Sequence, residues 1–237
     1  MPMPKLLQLF LDNQHRDRDF HVKAKDGEAE IYLYDAIGAW FGVAAEDFVR
    51  ELRGLDGVET IHLRMNSPGG DVFEGRAMAT ALRQVKAKTV CHIEGLSASA
   101  ATYVAAACDE IEIADGGFFM IHEAWTLTLG NKRDHQQQIE LLSKVDDGIL
   151  DDYARRTGAE RQQLIDWMEA ETWFTAAEAV EHGFADRVLK TERDQNRRRA
   201  QWNLAAYQNV PAALAEAPPE QQFDRAQAER RLALLER

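Results

Sequence analysis

The sequence predicts an α/β fold in which helices pack on a mostly parallel sheet. Three observations carry this. Strand-like and helix-like segments alternate through residues 30–189. Glycine turns stand between them, an arrangement that gathers backbone N–H groups and helix N-termini at one edge of a sheet. The composition, 45% hydrophobic and 29% charged over 237 residues with 6 Pro and 15 Gly, is that of a globular chain with ample length for a sizeable core.

Residues 1–29 are polar and mixed, with a short strand expected at Lys5–Leu11. The start has only a brief apolar stretch, no basic lead and no small-residue cleavage site, so a secretory signal is not expected. Glu30–Tyr34 alternates as a strand does. Ala45–Leu55 has helical period through Phe48, Val49, Leu52 and Leu55. Glu59–Met65 is a strand, followed by the turn Asn66-Ser67-Pro68-Gly69-Gly70. Asp71 is placed to cap the next helix, with Glu74 as its capping-box partner, and that helix runs to about Val85. Thr89–Ile93 is a strand that Gly95 breaks. Ala100–Ala107 is small, apolar and helical. Glu110–Ile113 and Phe118–Ile121 are short strands. Residues 132–156 form a long amphipathic helix with Ile139, Leu142, Val145, Ile149 and Tyr153 along one side, stopped by Thr157-Gly158. A shorter helix covers about 160–169. Thr175 and Glu178 form a second capping box, and Gly183 ends that helix.

Charge and residue types narrow the function. The formal net charge is −12, which repels phosphate backbones and makes nucleic acid a poor partner. No apolar run is long enough to span a bilayer. Cys91 and Cys108 form no disulfide framework and no zinc spacing; both read as small buried core residues, which fits a reduced intracellular compartment. The seven histidines include no HExxH, and no metal site is expected.

Four segments carry candidate chemistry. In Gly95-Leu96-Ser97-Ala98-Ser99-Ala100-Ala101 a strand meets an alanine-rich helix, so a serine there has its hydroxyl over a helix N-terminus that stabilises an oxyanion. Either Ser97 or Ser99 fits, and either also fits a plain helix cap. The glycines of Asn66–Gly70 let the backbone approach a ligand, with the Gly70 N–H as a candidate oxyanion donor; an ordinary Pro-Gly turn is the plainer reading. His122 ends the apolar run Met120-Ile121, where a base reaches a serine on the neighbouring sheet edge; a structural histidine fits there too. In Glu169-Ala170-Glu171-Thr172-Trp173 an acid could orient that imidazole, or the carboxylates could simply be solvated.

Taken in order and spacing, these segments resemble the Clp-type serine peptidase family over roughly residues 28–190, and the resemblance implies a ClpP/crotonase-like fold. Glycine, three residues, serine and a small residue resemble the family's nucleophile segment, which selects Ser99. Met120-Ile121-His122 resembles its general-base segment and selects His122. Phe174–Asp186 resembles the run after its third catalytic residue, which places that role on Glu171, where the family has aspartate. The resemblance implies attack by Ser99 Oγ, proton transfer through His122, a tautomer fixed by Glu171, and an oxyanion held by the N–H groups of Gly70 and Ala100. It implies protein or peptide substrates, no cofactor, and a homo-oligomeric ring, a heptamer or double heptamer, stacked through the long helix. The chain has no GxxxxGK[ST] and is not expected to hydrolyse ATP itself. Glu171-Thr172-Trp173 and Gly130-Asn131 are most similar to the Clp-like proteases of tailed phages and prophages. These act in head maturation, which implies capsid or scaffold partners and the host cytoplasm. Two alternatives stand beside this. Crotonase-like enzymes of the same fold bind acyl-CoA with two backbone N–H groups but need no Ser–His pair. A catalytically silent assembly protein would keep the fold alone.

The division expected is an N-terminal segment 1–29, a peptidase domain 30–189 and a polar tail 190–237. The tail carries nine basic and seven acidic residues with Pro211, Pro218 and Pro219, and reads as a flexible or conditionally helical extension. Docking of the tail, with its Arg197–Arg199 run, on an acidic neighbour or on capsid proteins is the sharper expectation.

Overall fold

Alternation along each strand decides the architecture. In the computed structural model, which describes residue 11, residues 20–190 and residues 202–215, eight strands form one sheet. β1 (Phe20–Lys25), β2 (Glu28–Leu33), β3 (Thr60–Ser67), β4 (Lys88–Ala98), β5 (Glu110–Ala114) and β8 (Arg187–Leu189) lie side by side in the order β1-β2-β3-β4-β5-β8. β6 (Phe118–Ile121) pairs with β4, and β7 (Thr172–Thr175) pairs with β6. The pairings are parallel except β1–β2 and β6–β7. The helices are α1 (Ala45–Arg53), α2 (Val72–Leu82), α3 (Ala100–Ala105), α4 (Lys132–Thr157), α5 (Arg161–Glu169), α6 (Ala176–Glu181) and α7 (Ala212–Ala215). The strand expected at Lys5–Leu11 lies, but for its last residue, outside the described residues.

Ile31 and Leu33, Ile61 and Leu63, Cys91 and Ile93, and Ile111 and Ile113 turn one face of the sheet into the core, against Phe48, Leu52, Met78, Leu82 and Val104 of the helices. The residues between them carry charge across the other face. Arg64 bridges Glu30 and Glu94 at 2.6 and 2.9 Å. His62 meets His92 at 2.8 Å, His92 meets Glu112 at 2.7 Å, and Arg187 closes on Glu112. Such cross-strand pairs hold neighbouring strands in register. Cys91 and Cys108 are free and buried, as expected.

β4 differs from expectation in a way that builds the site. Gly95 does not break it. The strand continues to Ala98, pairing with β5 through Val90–Ile93 and with β6 through Leu96–Ala98. Neighbours on both sides keep it extended. A Cβ at Gly95 would lie 3.1 Å from Asn66 Oδ1, so glycine is what lets β3 pass closely where the β3–β4 register shifts. β1 was not expected either. Its signal is Asp26-Gly27, at φ 55° and 83°, the pair that a tight hairpin turn with two left-handed residues favours.

The caps follow the sequence with one exception. Asp71 accepts from the N–H groups of Phe73 and Glu74 at 2.8 and 3.0 Å. Glu74 does not return the bond; its carboxylate accepts from Ala45 N at the start of α1, so the expected box is half formed and ties two helices together. Replacing Asp71 by alanine should cost about 1 kcal/mol, read as a lowered urea midpoint; an unchanged midpoint would show the cap to be idle. The Thr175–Glu178 box is complete, and Gly183 follows at φ 79°.

The stripe expected along α4 is buried only in its second half. Ile149, Leu150 and Tyr153 join the core, while Ile139 and Leu141 stay exposed, as do Leu127 and Leu129 just before the helix. No helix of the described residues is long and apolar enough to cross a membrane.

The tail, expected as a flexible or conditionally helical extension, is packed on the domain over residues 202–215. Trp202, Leu204, Ala206 and Tyr207 are buried against Leu96, Ala98 and Met120, forming a second, smaller apolar cluster. Packing against apolar side chains at the ends of β4 and β6 outweighs the polar composition of the segment. Arg197–Arg199 lie outside the described residues.

Candidate active site

The split pairing of β4 sets the position of Ser99. Its last residues are gripped between β3 and β6, and the Ser99 N–H donates to Met120 O at 2.9 Å. The chain must turn at once into α3, and Ser99 takes φ 52°, ψ −127° as its N-cap. A non-glycine residue there stores strain of about 1–3 kcal/mol. Ser97 is fully buried and its hydroxyl donates to Met65 Sδ at 3.1 Å. Of the two serines, Ser99 is therefore the one that meets a base.

That base is His122, one residue beyond β6. Its Nε2 lies 2.8 Å from Ser99 Oγ. Burial lowers the imidazole from its ordinary 6.5 to about 4, against the opposing pull of the Glu171 charge. The ring is neutral at pH 7 and able to accept the serine proton. The unfolded chain takes up that proton near 6.5 and the folded chain only near 4. Stability is therefore fully present above 6.5 and is lost as pH falls through 4. The loss is up to about 3 kcal/mol. His122→Gln should lose less stability than the wild type between about pH 7.5 and about pH 4.5, measured by urea unfolding. Equal losses would show that His122 does not govern this limb.

Glu171 sits at the turn between α5 and β7, nearly buried and at φ 49°. It is close enough to His122 to raise the proton affinity of the ring, but no hydrogen bond joins the two among the described residues. The tautomer-fixing bond expected of it is thus not formed here. Glu171 Oε1 instead accepts from Trp173 Nε1 at 3.3 Å and from the backbone N–H groups of Gln208 and Asn209, both at 2.7 Å.

The Asn66–Gly70 turn closes the other side. A Cβ on Gly69 would fall 2.7 Å from Ser99 Cβ and 2.9 Å from Ala100 N, at φ +87°. The turn therefore lies directly on the Ser99–Ala100 peptide, and only glycine fits. Gly70 is held by a parallel bridge to Ile37, in which Ile37 N donates to Gly69 O and Asp71 N to Ile37 O. Within the described residues, the N–H groups of Gly70 and Ala100 donate to no protein acceptor.

The sequence reading missed Tyr207. Its hydroxyl donates to Pro68 O at 2.6 Å. Its ring stands edge-on to His122 at 5.5 Å and to Trp173 at 5.7 Å. Burial raises the phenol, partly offset by the Ser99 hydroxyl. The available signal was Trp202-x-Leu204-x-Ala206-Tyr207, an apolar alternation inside an otherwise polar tail.

A hydroxyl at a strained strand-to-helix turn, a neutral imidazole on it and unused amide hydrogens beside it define the site type of a serine hydrolase. The chain belongs to the Clp protease family, a family of serine peptidases, whose profile matches residues 16–192. The proteolytic subunit of the ATP-dependent Clp protease of Borreliella afzelii is 27% identical over 143 residues, covering 60% of this chain and 73% of its own length. That of Deinococcus radiodurans is 26% identical over 155 residues, covering 63% and 76%. A structure of a ClpP1 point mutant from Listeria monocytogenes matches with a TM-score of 0.61 and 18% identity, covering 79% of this chain and 97% of that one. The expected ClpP/crotonase-like fold is the observed one.

Proposed function

We propose that the chain is a serine endopeptidase whose nucleophile is Ser99, whose general base is His122 and whose acid is Glu171. The observation that carries this is the 2.8 Å contact between His122 Nε2 and Ser99 Oγ. Ser99 Oγ attacks the scissile carbonyl as His122 takes its proton. The tetrahedral oxyanion is received by the Gly70 and Ala100 N–H groups. His122 then delivers the proton to the leaving amine, and water repeats the sequence to free the acyl group. Glu171 stabilises the imidazolium by its charge. The chemistry draws on no cofactor. Any use of ATP, as the names of the relatives carry it, falls to a partner chain.

The protein is further proposed to work as a homo-oligomeric ring, a heptamer or double heptamer. The apolar residues left exposed on and before α4, Leu129 and Ile139 among them, support packing of the long helix against other copies. We assign it to capsid or scaffold processing for a phage or prophage, on the strength of Glu171-Thr172-Trp173 and Gly130-Asn131. In that setting it acts in the host cytoplasm, with residues 30–189 as the peptidase unit. A fluorophosphonate probe tests the core of the reading: it should label Ser99, and a casein or capsid-protein digest should yield products that mass spectrometry can place. Absence of labelling at Ser99 under any condition would remove the peptidase assignment.

A further inference from the structure

Residues 202–215 make contacts that catalysis or a substrate would otherwise use. The Tyr207 ring stands edge-on to the His122 ring at 5.5 Å and its hydroxyl donates to the Pro68 carbonyl, two residues before the proposed oxyanion donor Gly70. The Gln208 and Asn209 N–H groups occupy the Glu171 carboxylate, and Asn209 Nδ2 donates to Ala170 O at 2.7 Å. Trp202 and Leu204 fill the apolar floor made by Leu96, Ala98 and Met120 beside the nucleophile. Backbone donors to the acid, one phenol on a carbonyl and apolar side chains in a floor are how a peptide ligand is held.

We propose that this segment is a built-in ligand that keeps the active site closed to other peptides until it is displaced. The inference rests on the peptidase reading above and adds its regulation. Two consequences are chemical. While the segment is seated, the Glu171 charge is shared with Gln208 and Asn209, and the catalytic acid is drawn away from His122. The floor that the segment fills takes aromatic and aliphatic side chains, so the peptides able to displace it carry apolar side chains.

The test uses the full chain. Trp202→Glu combined with Leu204→Glu places two charges in the apolar floor without altering any residue of 20–190. Tyr207→Ala removes only atoms of the segment. The rate of Ser99 labelling by a fluorophosphonate should rise about tenfold or more in the double variant, because the open fraction sets the apparent rate. Tyr207→Ala should fall between the double variant and the wild type, and carries the comparison alone if the double variant does not fold. Adding a synthetic peptide of residues 202–215 should slow labelling of the released variant again. Equal labelling in wild type and variants would overturn the closure while leaving the peptidase intact. So would a peptide with no effect. No labelling in any form would sink both.

Discussion

Replacing Ser99 by alanine should lower peptide hydrolysis by about 10⁴- to 10⁶-fold, leaving only what oriented binding and the oxyanion donors supply. The expectation follows from the 2.8 Å contact with His122, since among the described residues no other hydroxyl is hydrogen-bonded to that ring. Ser97→Ala is the matched control. Its hydroxyl is buried on Met65 Sδ, so the change should alter stability slightly and turnover hardly at all. Both variants are best compared in the wild type and in the Trp202→Glu, Leu204→Glu background, by product formation from a labelled peptide. If Ser99→Ala retained turnover within tenfold of its parent, on the scale where one decade is about 1.4 kcal/mol, the nucleophile would have to be sought elsewhere.

Gly70→Ala should be the next most damaging change. A Cβ there would run into the Ile37 carbonyl, with Ile37 C only 2.8 Å away, and φ is +152°. These are backbone atoms, which cannot swing aside. The turn must shift and carry its N–H off the oxyanion position, so turnover should fall by about 10²- to 10³-fold. The parallel bridge to Ile37 should weaken with it and lower the thermal midpoint. The decisive comparison is turnover per folded molecule. A lower midpoint with normal turnover would leave Gly70 a structural role only.

Much of this site was legible because strong local chemistry marks it. Ser99 and His122 lie where strand patterns stop, and the glycines of the Asn66–Gly70 turn announce a close backbone approach. Single-segment reading could not choose between Ser97 and Ser99, since alternation of the strand through Gly95 depends on β6, a partner distant in sequence. The same non-local pairing overruled Gly95 as a breaker. Glu74 left its expected capping partner for a helix that the local pattern does not reveal as a neighbour. β7 was missed because Thr172–Thr175 is short and gains its stability from pairing with β6. Residues 202–215 were read on composition as part of a flexible or conditionally helical tail, and an average over the whole tail hides the apolar side chains of Trp202, Leu204, Ala206 and Tyr207.

The covalent link between this segment and the site it covers changes how occupancy responds to quantity. A tethered ligand meets its site at an effective concentration that does not depend on how much protein is present. Dilution of the protein therefore does not empty the site, and a free peptide must outcompete that local supply. Latency of this kind is insensitive to expression level. It yields to a partner that grips the segment itself, or to a crowd of competing ends presented at one place.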